Sequence, residues 1–375
     1  MKSRFILQNF ALPIALVLVG GFFALQERAF LGPRNLTQLI VEFSITGTLA
    51  LGMFMILLSG KIDLSVGSGV GLIGGIAAVL VFQQGWPAPW AMAAAFAAAL
   101  ALWTLLGTLI VRQSIPPFIV TLGGLLVFKG LFWLVIQNAT VPVSRGDQDN
   151  LYSILTTYYL PAHVGLTLAA LVSLGLGISS WRNRHRRQAH GLTVPAFARF
   201  ALNIAAPGAG IFTVVLVCNQ FRGVPLTLVI LATTAWIVYF LTKHTPFGRY
   251  LYAIGGNEEA AFLSGVPVHR VQIGAYVLMG VTVALTGFMT TAYAGAATTT
   301  VGDLMELDAI AACVIGGTAL KGGRGTVGGV IFGALIMSAL LNGMTLLAVA
   351  PEIKFIARGT VLTLAVWMDV KLARR

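Results

Sequence analysis

Twelve apolar stretches dominate the chain, at 10–26, 36–59, 64–82, 89–111, 115–136, 161–180, 201–218, 223–242, 271–293, 308–320, 326–348 and 353–370. A helix needs about 20 mostly apolar residues to cross a hydrocarbon core, and most of these stretches qualify. Charged residues make up only 10% of the 375 and hydrophobic residues 57%, too few charges to cover a water-facing surface of this size. A soluble enzyme, a disordered regulator and a disulfide-rich secreted domain are therefore excluded. The expected fold is all-α, a single polytopic transmembrane bundle over 1–375 with about 10–12 spans, some of them broken or re-entrant. Stretch 308–320 is too short for an ordinary span and must be broken, steep or re-entrant. Ala24-Leu-Gln-Glu-Arg28 lacks a small-residue cleavage site, so the first stretch is read as a retained helix.

The net charge of +12 is best read as topology. With twelve alternating segments, seventeen Lys and Arg fall on one side and five on the other, while Lys129 and Arg358 lie within segments. That bias places both termini in the cytoplasm and leaves no call for a nucleic-acid partner. Residues 137–160, with Asp147 and Asp149, form the longest outer loop. A cytoplasmic Arg-rich loop, 181–200, has a cation density suited to anionic membrane lipid. The second long cytoplasmic loop is 243–270. Cys218 and Cys313 sit in apolar stretches with neither metal nor disulfide spacing.

Glycine clusters at Ser59–Gly75 and Gly316–Gly333. Glycine lets helices approach closely and lets the chain break inside a bundle. Each cluster joins two apolar stretches by a short polar turn, a faint sign of two related halves. No Walker A pattern occurs, and no strand precedes the Gly67–Gly71 glycines, so the chain has no nucleotide fingerprint of its own. The acids Glu42, Asp63, Asp303, Glu306 and Asp308 lie near segment boundaries, and the five histidines lie in loops or at segment ends. An ion-coupled carrier would thus lack its midplane titrating group. Lys129 comes nearest to a mid-membrane charge. Any polar lining is expected to be neutral, drawn from Ser44, Thr46, Thr48, Thr121, Thr286, Thr290, Thr291, Asn342 and Thr298–Thr300. For each of these, a bond to its own helix backbone is the commoner role.

The loop 243–270 contains a short helix signal. Asn257 is a suitable N-cap, Glu258 and Glu259 suit a first turn, Ala260–Leu263 propagate it, Gly265 stops it and Pro267 bars its resumption. A small helix on a cytoplasmic loop can dock into a partner and carry its motion into the membrane.

Three motifs carry a specific resemblance: Gly60-Lys-Ile-Asp-Leu-Ser-Val-Gly-Ser68, Gly255-Gly-Asn-Glu-Glu-Ala-Ala-Phe-Leu-Ser-Gly-Val266 and Ile315-Gly-Gly-Thr-Ala-Leu-Lys-Gly-Gly-Arg-Gly-Thr-Val-Gly-Gly329. In this order they resemble permease subunits of the ribose/xylose class of bacterial ABC sugar importers. The Arg-rich insertion near 181–200, absent from smaller members, looks most like the xylose permeases. The family usually has Gly where this chain has Ser59 or Lys61, and Lys61 is expected to pair locally with Asp63. The resemblance implies a homodimeric pore in the bacterial inner membrane, importing a monosaccharide, D-xylose foremost. Ribose, another sugar, a nucleoside or an amino acid stand as alternatives, with an ion-coupled carrier behind them. It implies two further partners, a periplasmic sugar-binding protein and a cytoplasmic ATPase that binds ATP and Mg. The permease itself would be no enzyme and hold no cofactor or metal. Gly256, Asn257, Glu258, Glu259, Ala260, Ser264 and Gly265 are the expected coupling residues. Asp63, Ser65, Gly67, Thr121, Gly317, Gly323 and Asn342 are the expected path or gate.

Overall fold

A computed structural model describes residues 2–146, 149–194 and 196–373. Asp147, Pro195 and the tail cations Arg374 and Arg375 lie outside the described residues. The first five helices are α1 (Lys2–Gln26), α2 (Pro33–Leu58), α3 (Val66–Phe82), α4 (Ala88–Arg112) and α5 (Pro117–Ile136). A connection follows with β1 (Val141–Pro142), α6 (Leu151–Thr157) and β2 (Tyr159–Leu160). Next come α7 (Ala162–Ala189), α8 (Phe197–Asn219), β3 (Val224–Pro225), α9 (Leu226–His244), α10 (Pro246–Gly256), α11 (Glu258–Leu263) and α12 (Val268–Ala294). The chain closes with β4 (Ala296–Ala297), α13 (Met305–Ile315), α14 (Val327–Leu346) and α15 (Pro351–Ala373). Proline opens α2, α5 and α10, where its fixed φ and missing N–H cost nothing.

Among the described residues, eight helices are long and apolar enough to cross a membrane: α2, α4, α5, α7, α8, α9, α12 and α14. Leu12–Gln26 of α1 and all of α3 are apolar but shorter. The core lies around α2, which packs against α9, α12, α13 and α14, and α12 in turn packs against α3 and α4. The fit of α4 follows from its sequence. Ala91, Ala95 and Ala99 recur every fourth residue and are fully buried, so one face of small side chains lets α12 approach closely. At one end of the bundle β1 pairs antiparallel with β4, and β2 with β3. These short ladders tie the 137–160 connection to distant helices. From the same connection Tyr152 enters the core, donating its hydroxyl hydrogen to the Gly74 carbonyl at 2.8 Å and meeting Phe288 edge-on.

The short stretch near 308–320 resolves into two parts. After β4 the chain runs irregularly, with Gly302 backed onto Gly67 of α3, before the eleven residues of α13 and a glycine turn. Irregular backbone at this depth is tolerated because protein encloses it. Gly333 of α14 lies against the Ala312 carbonyl, and the Cys313 thiol donates to the Ala50 carbonyl at 3.2 Å. Cys218 and Cys313 are both free and buried.

The Arg-rich loop expected at 181–200 is mostly helix. Residues 181–189 continue α7, and α8 begins at Phe197. Charge does not end a helix; the first breaker is Gly191, in the left-handed region at φ +65°. The expected loop 243–270 likewise holds two helices, since Pro246–Gly256 forms α10 ahead of the anticipated α11.

Candidate functional site: a glycine junction beneath α10 and α11

The helix α11 has the anticipated caps. Asn257 Oδ1 accepts the Ala260 N–H at 2.9 Å, Ser264 is the C-cap, and Gly265 takes φ +81°. Ala261 is buried beneath the helix, while Phe262 and Leu263 are 64% and 79% exposed. Two large apolar side chains on a polar-flanked knob are unusual on a surface without a partner.

Glu258 fixes this knob to the bundle. Its Oε2 lies 3.0 Å from Lys61 Nζ, and its Oε1 accepts from Gln272 Nε2 of α12 at 3.1 Å. The expected local pair of Lys61 with Asp63 is therefore not formed. Lys61 points out of its turn to α11, and Asp63 points inward. The Lys61–Glu258 pair is part-exposed and contributes at most ~1 kcal/mol; its consequence is geometric, joining α11 to the α2–α3 turn.

Directly beneath, three glycine-rich segments meet backbone to backbone. The Gly323 N–H donates to the Leu58 carbonyl at 3.0 Å, and the Tyr252 hydroxyl donates to the Gly325 carbonyl at 2.9 Å. Gly255, at the end of α10, is wedged against the Leu58 carbonyl and the Gly322–Gly323 backbone. Gly322 sits at φ +90°, and a Cβ there would lie 2.7 Å from Gly60 N and from Gly255 Cα. The three motifs of the sequence thus converge on one contact. The end of α10, just ahead of α11, lies backbone to backbone on the α2–α3 and α13–α14 turns.

The expected path residues do not gather in one place. Asp63, fully buried, accepts from the Ser65 N–H at 2.9 Å, the Ser65 hydroxyl at 2.6 Å and Trp103 Nε1 at 2.8 Å. This satisfied carboxylate locks α3 to α4. Thr121 is buried, its hydroxyl 3.5 Å from the Ile62 carbonyl. Gly67 faces Gly302 and Glu306, Gly323 lies in the junction, and Gly317 is in an exposed turn. Asn342 belongs to a separate polar network. Its Oδ1 accepts from Asn35 Nδ2 at 2.9 Å, and its Nδ2 donates to Glu42 Oε2 at 3.1 Å. The Tyr293 hydroxyl donates to Glu42 Oε1 at 3.0 Å.

Ser44, Thr48 and Thr290 bond carbonyls of their own helices at 2.6–2.7 Å, as expected of hydroxyls in such helices. Lys129 pairs with Asp303 and donates to the Thr299 carbonyl. Charged side chains also stand among these helices: Glu306 and Asp308 are buried, and Glu42 and Arg358 are part-buried. Sequence reasoning missed Trp103 and Gln272 as partners of the motif acids. The indole of Trp103, set among the small residues deep in α4 while Trp90 stands at its exposed start, was the available signal, since a buried Trp N–H needs an acceptor. Among the described residues no group of three or more His, Cys, Asp or Glu is disposed to hold a metal ion.

Eight helices long and apolar enough to cross a membrane, packed into one bundle, define a multi-pass membrane protein. The family model described as "Branched-chain amino acid transport system / permease component" matches residues 35–366, and the chain belongs to this family. It is 39% identical over 370 residues to the xylose transport system permease protein XylH of Escherichia coli K12, covering 98% of this chain and 93% of that one. The XylH protein of Haemophilus influenzae is 37% identical over 364 residues, 97% and 96% of the two chains. The ribose import permease protein RbsC of Bacillus subtilis is 32% identical over 343 residues, 92% and 87%. No solved structure matches the chain.

Proposed function

We propose that this chain is the membrane-spanning subunit of an ATP-driven importer of a monosaccharide, D-xylose, in the bacterial inner membrane. It works as a homodimer with a cytoplasmic ATPase, which binds ATP and Mg, and a periplasmic sugar-binding protein. Both termini face the cytoplasm, as the cation bias supports. The observation that carries this reading is α11. Its apolar tip, Phe262 and Leu263, faces solvent, while Glu258 and the glycine junction bind its base to two turns of the bundle. Residues 256–265 then transmit closure of the ATPase to α2, α3, α13 and α14. The partner's nucleotide state shifts the pore only through its differential affinity for the two pore conformations. Support for a pentose comes from the full-length likeness to xylose permeases, ahead of ribose permeases in identity.

Part-buried Glu42 and buried Asp308 remove the argument that an ion-coupled carrier would lack an acid, so the energy source must be tested directly. In proteoliposomes, this chain with its ATPase and binding protein should take up D-xylose on ATP addition, and should take up none when the chain is alone under a proton or sodium gradient. Gradient-driven uptake by the chain alone would refute the assignment, and ATP-driven uptake of ribose in place of xylose would reassign the sugar.

A further inference from the structure

One cavity in the bundle is built for a polar, uncharged solute. It measures about 230 Å³ and lies between α2, α12, α13, α14 and α15. This is below the ~300–1,000 Å³ of drug-sized sites. Glu42 lines it from nine residues inside α2, about 14 Å along the helix from Pro33. Tyr293, Asp308, Ser338 and Arg358 complete its polar wall, with Thr46 one turn on from Glu42 in α2.

Part of this wall is satisfied and part is not. Glu42 is held by Tyr293 and Asn342, as described above. Asp308 and Ser338 are 95% and 98% buried, as their 5% and 2% exposures record, yet Asp308 Oδ1 and Ser338 Oγ have no hydrogen-bond partner. Arg358 Nε lies 3.3 Å from Asp308 Oδ1, an ion pair by distance, but it too lacks an aligned hydrogen bond. A buried polar atom without a partner costs ~1–3 kcal/mol; Ser338 Oγ is such an atom on this small cavity, beside an ion pair whose hydrogen bond is not aligned. The wall offers an acceptor at Asp308, a donor at Arg358 and a hydroxyl at Ser338 that can do either. At the rim Lys354 donates to Thr345 at 3.1 Å, so two acids face two cations and no net charge selects an ion.

We propose that this cavity is a transient binding station for a monosaccharide within the membrane, held through its hydroxyls by Asp308, Ser338 and Arg358. The substrate class rests on the import reading given above; the site itself rests on the cavity and its unmet groups. The free Ser338 hydroxyl and the unaligned Asp308–Arg358 pair match a polyol, whose hydroxyls both donate and accept. The small number of contacts suits a solute that must also leave.

The test uses Ser338→Cys on α14 and Thr46→Cys on α2, both lining the cavity. Both native cysteines are buried, so the introduced thiol reports its own site. Each variant is reconstituted with the ATPase and binding protein, and its labelling rate by a water-soluble methanethiosulfonate is measured with D-xylose or with L-leucine. D-xylose should slow both rates about fivefold, the shielding expected when free sugar is about four times its Kd, and L-leucine should leave them unchanged. Rates indifferent to the sugar, or absence of labelling at both positions, overturn the station. If ATP-driven xylose uptake by the native complex persists alongside either overturning result, the import reading stands without it. Sugar protection in a complex that shows no ATP-driven uptake supports the station and defeats that reading.

Discussion

The junction beneath α11 and the α7–α8 pair are both long departures from plain lipid-facing helix in the sequence, and they are built in opposite ways. At the junction, Gly60, Gly255, Gly322 and Gly323 bring backbone onto backbone, and the charges of Lys61 and Glu258 are paired across 197 residues. The α7–α8 pair touches the rest of the bundle mainly where α8 meets α2 and β3. Only Gly165 and Ala169 of α7 are buried, and Arg184 stacks on Phe200 of α8. The first arrangement has no room for change, because contact is made by atoms that cannot rotate away. The second presents apolar side chains outward, where lipid accepts nearly any of them. The difference separates the part of the molecule through which motion can pass from a part that adds surface.

The largest expected effect comes from Gly322→Val. A β-branched side chain at φ +90° would meet Gly60 and Gly255, and overpacking costs ~1–3 kcal/mol before the backbone strain is added. ATP-driven uptake should be lost and co-purification of the ATPase weakened, while the chain still inserts; normal uptake would mean the junction is not tight.

Glu258→Lys comes next. It sets two cations against each other at the base of α11, so uptake should fall at least tenfold, with little change in thermal stability because the pair is part-exposed. The exchange Lys61→Glu with Glu258→Lys should recover much of the uptake. Failure of that rescue would show that the link acts through something other than charge.

A third substitution probes rigidity next to the junction. Trp103→Phe removes one of three donors to Asp63 and should cost ~1–3 kcal/mol, as for a buried acceptor left short, read as a lower melting temperature in detergent with uptake reduced less than for Glu258→Lys. The smallest effect belongs to the other region: Arg186→Gln with Arg187→Gln on α7 should leave uptake within about twofold of the parent, as surface changes usually do. A large loss there would place function in the α7–α8 pair and erase the contrast.

Much of this was legible beforehand, for identifiable reasons. The apolar stretches and the cap signals of α11 are local: eight of the twelve stretches become helices long enough to span among the described residues, and α11 has its expected caps. The end of α7 was misread because a run of Arg resembles a loop, although no residue before Gly191 breaks a helix. The helix α10 was hidden by its glycines and aromatics, and Pro246 at its first position was the overlooked sign. The partners of Lys61, Asp63 and Glu42 were out of reach. Lys61 and Glu258 are far apart in the chain, and Glu42 is separated from Asn342 by 300 residues. No spacing rule links such pairs until the bundle is assembled. The Asp308–Arg358 pair was out of reach for the same reason, since the two meet only where α13 packs on α15.

The central claim is that α11 is the surface gripped by a cytoplasmic motor. Ser264, exposed at its C-cap, offers the direct test as Ser264→Cys, labelled with a membrane-impermeant maleimide in vesicles of each orientation. The account predicts labelling only in inside-out vesicles, and loss of that labelling when the ATPase is bound. Labelling in right-side-out vesicles, or undiminished labelling in the complex, would contradict it.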